Sequence, residues 1–170
     1  MVLLASIRTV ALGAAAFLGG AAVAAGQRHE ASDLVTAAAG WVDVSRRRHS
    51  ALELGLGYRR RNALWAFRPF VAVTATNTRS VYGWAGIAYD LGIGRFALTP
   101  AFGPGLYGRG GGIDLGYPLE FRSRLEASCR LDGRSRIGVA LSHTSNAHLG
   151  ARNPGVETLT VSYSLALSKP

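Results

Sequence analysis

The feature that most constrains this chain is a two-residue alternation of side chains in which one face is apolar and the other carries charges of both signs. From Leu115 onward, Leu115, Tyr117, Leu119, Phe121 and Leu125 alternate with Glu120, Arg122, Arg124 and Glu126. A period of two belongs to a strand whose two faces meet different surroundings, because successive side chains point to opposite sides of a sheet. The same period recurs in Leu52, Leu54, Leu56 and Tyr58; in Trp65, Phe67, Val71 and Val73 opposite Arg68 and Thr74; and in Val81, Ile87, Tyr89 and Leu91. It returns in Phe96, Leu98, Phe102 and Leu106 opposite Thr99 and Gly103, then in Ile137, Val139 and Leu141, and finally in Leu159, Val161, Tyr163, Leu165 and Leu167. With a weaker strand from about Leu34 to Val44, this predicts eight strands.

Such strands bury their apolar faces either inward around a soluble core or outward against lipid, with polar faces lining a narrow lumen. Glu53, Arg68, Glu120, Arg122, Arg124 and Glu126 could pair with one another inside, and the many small Gly and Ala residues suit the limited interior of eight strands. Trp65, Tyr82, Trp84, Tyr89, Tyr107, Tyr117 and Tyr163 are expected as interfacial girdles. The expectation is therefore an all-β fold, an eight-stranded antiparallel transmembrane β-barrel. A soluble lipocalin-like barrel, whose charged faces would simply be solvated, is the alternative.

Composition narrows the compartment and the chemistry. The chain has 170 residues, 19 Lys and Arg against 10 Asp and Glu, and one cysteine, Cys129. That fits one folded domain and excludes an internal disulfide or a thiolate metal cluster. His29, His49, His143 and His148 lack zinc-site spacing, so no metal and no organic cofactor are expected. Residues 1–25 contain Arg8 as their only charge, then an uncharged Ala, Leu, Val and Phe stretch ending in small residues. This reads as a secretory signal peptide cleaved after Ala24 or Ala25, leaving 26–170 as the barrel domain. Export argues against nucleic acid as the partner of Arg46, Arg47, Arg48 and Arg59, Arg60, Arg61, which would suit anionic groups at a membrane surface or be plain solvated turn residues. The Gly-rich stretch from Gly108 to Asp114 lacks a phosphate-loop ending and reads as a hairpin connection.

The reactive side chains gather in the last hairpin. His143 and Ser145 share the odd-numbered face of Ile137, Val139 and Leu141, and Glu157 shares the odd-numbered face of Leu159, Val161, Tyr163 and Leu165. All three are expected on the lipid side, where an unpaired His or Glu is costly. In a hairpin centred on Gly150, residues equidistant from it lie opposite each other, which sets His143 across from Glu157 with Cβ atoms about 5 Å apart. A histidine held by a carboxylate, with a serine two residues along, is the arrangement that acyl transfer needs. Each of the three taken singly would be an ordinary loop residue.

His143-Thr144-Ser145-Asn146-Ala147 followed by Asn153-Pro154-Gly155-Val156-Glu157 resembles the signature of the PagL family of outer-membrane lipid A deacylases. Phe102-Gly103-Pro104-Gly105 and the segment Leu115 to Phe121 carry the resemblance further, over roughly the C-terminal half. The resemblance implies an eight-stranded outer-membrane barrel that hydrolyses an ester-linked acyl chain, 3-O-linked, from the lipid A of lipopolysaccharide. It makes Ser145 the nucleophile, His143 the general base and Glu157 the carboxylate that orients the imidazole. Asn153 and the backbone N–H of His148, a position commonly glycine in the family, would form the oxyanion hole. Asn146, on the lumen face, is expected to serve structure. Lipopolysaccharide and outer-membrane lipids are the expected partners, and a homodimer is left open. With an even strand number and a periplasmic N-terminus, the last hairpin loop faces outward, in the leaflet that holds lipid A. A non-enzymatic barrel with a structural or adhesive role, and a soluble lipid carrier, are the competing functions.

Overall fold

The computed structural model describes residues 32–46, 49–61 and 66–168. The expected signal peptide and Trp65 lie outside them. The chain runs through β1 (Leu34–Val42), β2 (Ala51–Arg59), β3 (Phe67–Thr76), β4 (Val81–Tyr89), β5 (Leu91–Ile93), β6 (Phe96–Gly108), β7 (Leu119–Arg130), β8 (Ser135–Ser145) and β9 (Val156–Ala166). Every pairing is antiparallel, β1 pairs with β9, and β4 pairs with β6, so the sheet closes. Val81 pairs with Gly108 and Leu91 with Leu98 in one continuous register, so β4 and β5 are a single stave interrupted at Asp90. The result is a closed eight-stranded antiparallel barrel. Among the described residues no helix is long and apolar enough to cross a membrane.

The two faces separate the lipid-embedded barrel from the soluble alternative. Glu120, Glu126 and Arg68 are 0–1% exposed, whereas Leu54, Leu56, Leu106 and Leu141 are 54–68% exposed. A water-soluble barrel would reverse that distribution. Several of the lumen's charges are paired. Arg124 lies 2.8 Å from Glu126, Arg68 2.8 Å from Asp90, and Arg122 3.5 Å from Glu53. Asp90, at the break in its stave, also accepts from Arg59 at 3.3 Å and Thr99 at 2.7 Å. Low-dielectric burial favours such pairing, since a lone buried charge costs several kcal/mol.

Two expectations are corrected. Tyr82 and Trp84 are not girdle residues: they are 2% and 7% exposed, inside the barrel with Phe70, and the Arg122 guanidinium lies 4.5 Å from the Tyr82 ring centroid. They fit because Gly105 faces them from β6, where a Cβ would come within 2.5 Å of the Trp84 Cβ and 2.7 Å of the Tyr82 ring. Tyr107 also turns inward, its hydroxyl donating to the Ile113 carbonyl at 2.9 Å. The strand expected from Leu115 begins only at Leu119: Leu115 is a buried loop residue, and Gly116 in the left-handed region followed by Pro118 interrupts the extended chain.

Candidate active site

The β8 and β9 ladder pairs Val139 with Val161, Leu141 with Leu159 and His143 with Glu157, the register of a hairpin centred on Gly150. His143 and Glu157 thus sit directly opposite on the outer face, at the end of the barrel that carries the loops 43–50 and 146–155. The His143 Nδ1 is 3.1 Å from the Glu157 Oε1. An ionised carboxylate only accepts, so Nδ1 carries the proton in this contact, and in the neutral imidazole Nε2 keeps its lone pair. The imidazole side chain is 49% exposed and the carboxylate 19%, so the pair opens toward the lipid side rather than into the lumen.

Ser145 ends β8 on the same face, two residues and about 6.6 Å of strand rise beyond His143. No hydrogen bond joins Ser145 to His143 among the described residues. Such contacts are commonly loose without substrate and tighten in the reacting complex.

The chain then reverses tightly. Leu149 donates its N–H to the Asn146 carbonyl at 3.0 Å, and the two central residues, Ala147 and His148, have φ of 53° and 65°. Positive φ at both positions is the mark of a type I′ turn, normally reserved for Gly, Asn or Asp. Asn146 anchors this turn from within the barrel. It is fully buried, donates from Nδ2 to the carbonyls of Leu115 at 2.8 Å and Arg152 at 2.7 Å, and accepts the His148 N–H on Oδ1 at 2.9 Å.

The two residues assigned to the oxyanion hole differ in availability. Asn153 uses Oδ1 to accept the Asn146 N–H at 3.1 Å, which fixes its carboxamide, and its Nδ2 stands 3.4 Å from the His148 Nδ1. One of its two amide protons is therefore left for another acceptor. The His148 backbone N–H is committed to Asn146 in this structure. Its left-handed φ is adopted despite the imidazole side chain.

One residue beside the site escaped the sequence reading. Ser45, three residues past β1, donates its hydroxyl to the Glu157 Oε2. No local pattern marks it, because 112 residues separate the two and only the closing β1 and β9 ladder brings them together. Among the described residues no cluster of three or more His, Cys, Asp or Glu is placed to hold a metal.

An eight-stranded barrel with an apolar outer belt and a polar residue cluster on its outer wall defines a membrane-spanning barrel. Residues 35–166 match the family model for PagL, lipid A 3-O-deacylase, and the chain belongs to that family. It is an outer-membrane barrel of the lipid A deacylase type. The crystal structure of the outer-membrane enzyme PagL is similar to it at 20% identity and a TM-score of 0.62, covering 79% of this chain and 99% of that one. Neisserial surface protein A is similar at 11% identity and 0.56, covering 79% and 95%. A de novo designed transmembrane β-barrel is similar at 8% and 0.59, covering 79% and 93%. At these identities the structural likenesses establish the fold. No curated protein matches the chain.

Proposed function

We propose that this protein, delivered by a signal peptide over residues 1–25, hydrolyses the 3-O-linked acyl ester of lipid A with a Ser145, His143 and Glu157 triad. The observation that carries the proposal is the His143 to Glu157 pair on the lipid-facing wall. A structural barrel gains nothing from two ionisable groups there, where each is expensive to place. An enzyme whose substrate is anchored in the same leaflet needs them there, since lipid A reaches the wall by lateral diffusion.

The reaction follows from the geometry. The Ser145 Oγ attacks the ester carbonyl as its proton passes to the His143 Nε2, and Glu157 stabilises the resulting imidazolium through Nδ1–H. The Asn153 amide donates to the oxyanion, with the His148 N–H joining once Asn146 releases it. As the oxyanion collapses, the bond from the acyl carbon to the sugar oxygen breaks, that oxygen takes the proton from Nε2 and leaves as a hydroxyl, and Ser145 holds the acyl chain as an ester. Water, deprotonated by Nε2, then attacks this ester, and the fatty acid departs as Ser145 regains its proton. No metal and no organic cofactor enter any step. The whole triad comes from one hairpin, so a homodimer is not required.

Mass spectrometry of lipid A from cells with and without the protein tests this reading. The expected change is loss of one hydroxyacyl mass at the 3-O position, absent in Ser145→Ala; an unchanged lipid A profile with folded barrel in the outer membrane contradicts it.

A further inference from the structure

A glutamate has three rotatable bonds between backbone and carboxylate, so pairing with His143 across a ladder does not by itself fix its orientation. One carboxylate oxygen, Oε1, is taken by the His143 Nδ1. The other needs a donor of its own, and at 19% exposure on the outer wall bulk water supplies it poorly.

The loop between β1 and β2 supplies that donor. Asp43 adopts φ of 60°, a left-handed conformation that Asp tolerates, and its Oδ2 accepts the His49 N–H at 2.9 Å, which ties the loop back on itself. The N–H groups of Asp43 and Val44 both donate to the Glu157 carbonyl, at 2.8 and 3.3 Å. These main-chain bonds carry the loop to the start of β9 and set Ser45 beside the carboxylate, where its hydroxyl donates to Oε2. Glu157 is thereby held at its backbone and at both carboxylate oxygens, by the neighbouring loop and by His143.

We infer that Ser45 is a positioning residue for the deacylation, locking Glu157 so that Oε1 faces the imidazole throughout the cycle. The inference rests on the proposed triad. Ser45 never touches the substrate; it acts through Glu157 alone. Because the loop is anchored by main-chain bonds, removing the Ser45 hydroxyl leaves the loop in place and takes away only the second grip on the carboxylate.

The test is steady-state kinetics on purified barrel in mixed micelles with lipid A. Ser45→Ala should lower kcat about tenfold, the scale of a charge-assisted hydrogen bond, with KM and thermal unfolding unchanged. Ser45→Thr, which keeps the hydroxyl, should restore most of the rate. In a Glu157→Ala background, Ser45→Ala should cost nothing further, since residues acting as a unit are not additive. Wild-type kcat in Ser45→Ala, or an equal loss with and without Glu157, overturns the inference while an inactive Ser145→Ala leaves the triad standing. Full activity in Ser145→Ala removes the triad and this inference with it.

Discussion

Gly155 lies against the free edge of the His143 imidazole: a Cβ at this position would come within 2.9 Å of Cε1 and 3.4 Å of Nε2. Its φ of +63° compounds the restriction. A Cβ there would press on Cε1 and reach van der Waals contact with Nε2, the nitrogen proposed to accept the serine proton.

Gly155→Ala should therefore leave the barrel folded but reduce kcat, by roughly 10- to 100-fold, the scale on which a misplaced reacting group is felt. Gly155→Asn separates the two causes, because Asn tolerates the left-handed backbone while keeping the Cβ contact. Equal losses in the two variants assign the defect to the imidazole. A near-normal Gly155→Asn would assign it to backbone strain.

The type I′ turn stores strain at Ala147 and His148, about 1–2 kcal/mol for each non-glycine residue in the left-handed region. His148→Gly should raise thermal stability in detergent, retain the backbone N–H and keep deacylation. Asn146→Ala should do the opposite, since it strips side-chain bonds to Leu115, Arg152 and His148 from a fully buried position. Differential scanning of the two variants beside wild type checks both signs.

Inside the barrel, two glutamates on one strand face different environments. Glu126 binds Arg124 and stands 3.8 Å from Arg59, so Glu126→Ala should destabilise by about 3–5 kcal/mol through stranded guanidinium charge. Both carboxylate oxygens of Glu120 lack a hydrogen-bond partner among the described residues. Glu120→Gln should be neutral or stabilising. Urea unfolding of the two variants in lipid vesicles decides between them.

The loop that carries the site is also tied from outside. The Gly116 N–H at 3.0 Å, then the charges of Arg152 and Arg109, hold the Asp114 carboxyl below its ordinary 3.8, and Arg152 belongs to the loop between β8 and β9. A lowered folded value means the tie is fully present above pH 3.8 and is lost as pH falls below it through the lowered folded value. Hydrogen exchange at Gly116 should accelerate only on such acidification in wild type, and at neutral pH in Asp114→Asn if the carboxylate charge is what holds the loops.

Much of this was legible because hairpins are local. The register of His143 and Glu157 follows from a short loop and a two-residue period, and the inward charges of Glu120, Arg122 and Arg124 follow from the same parity. The aromatic residues were harder to place. A ring on an alternating strand suits either an interface or an interior, and the space that draws Tyr82 and Trp84 inward is created by Gly105 on another strand. Trp41, 57% exposed on the outer face beside Leu159, was passed over within the weaker first strand. Ser45 could not be read at all, since its partner is fixed only when the first and last strands meet.

The central claim is that Ser145 is the nucleophile, activated on the lipid-facing wall by His143. Its most direct measurement is covalent trapping with a long-chain alkyl fluorophosphonate in detergent, followed by peptide mass mapping. The account predicts a single phosphonyl adduct on Ser145, lost in Ser145→Ala and strongly slowed in His143→Ala while both barrels remain folded. An adduct at any other residue, or undiminished labelling of Ser145 without His143, would contradict it.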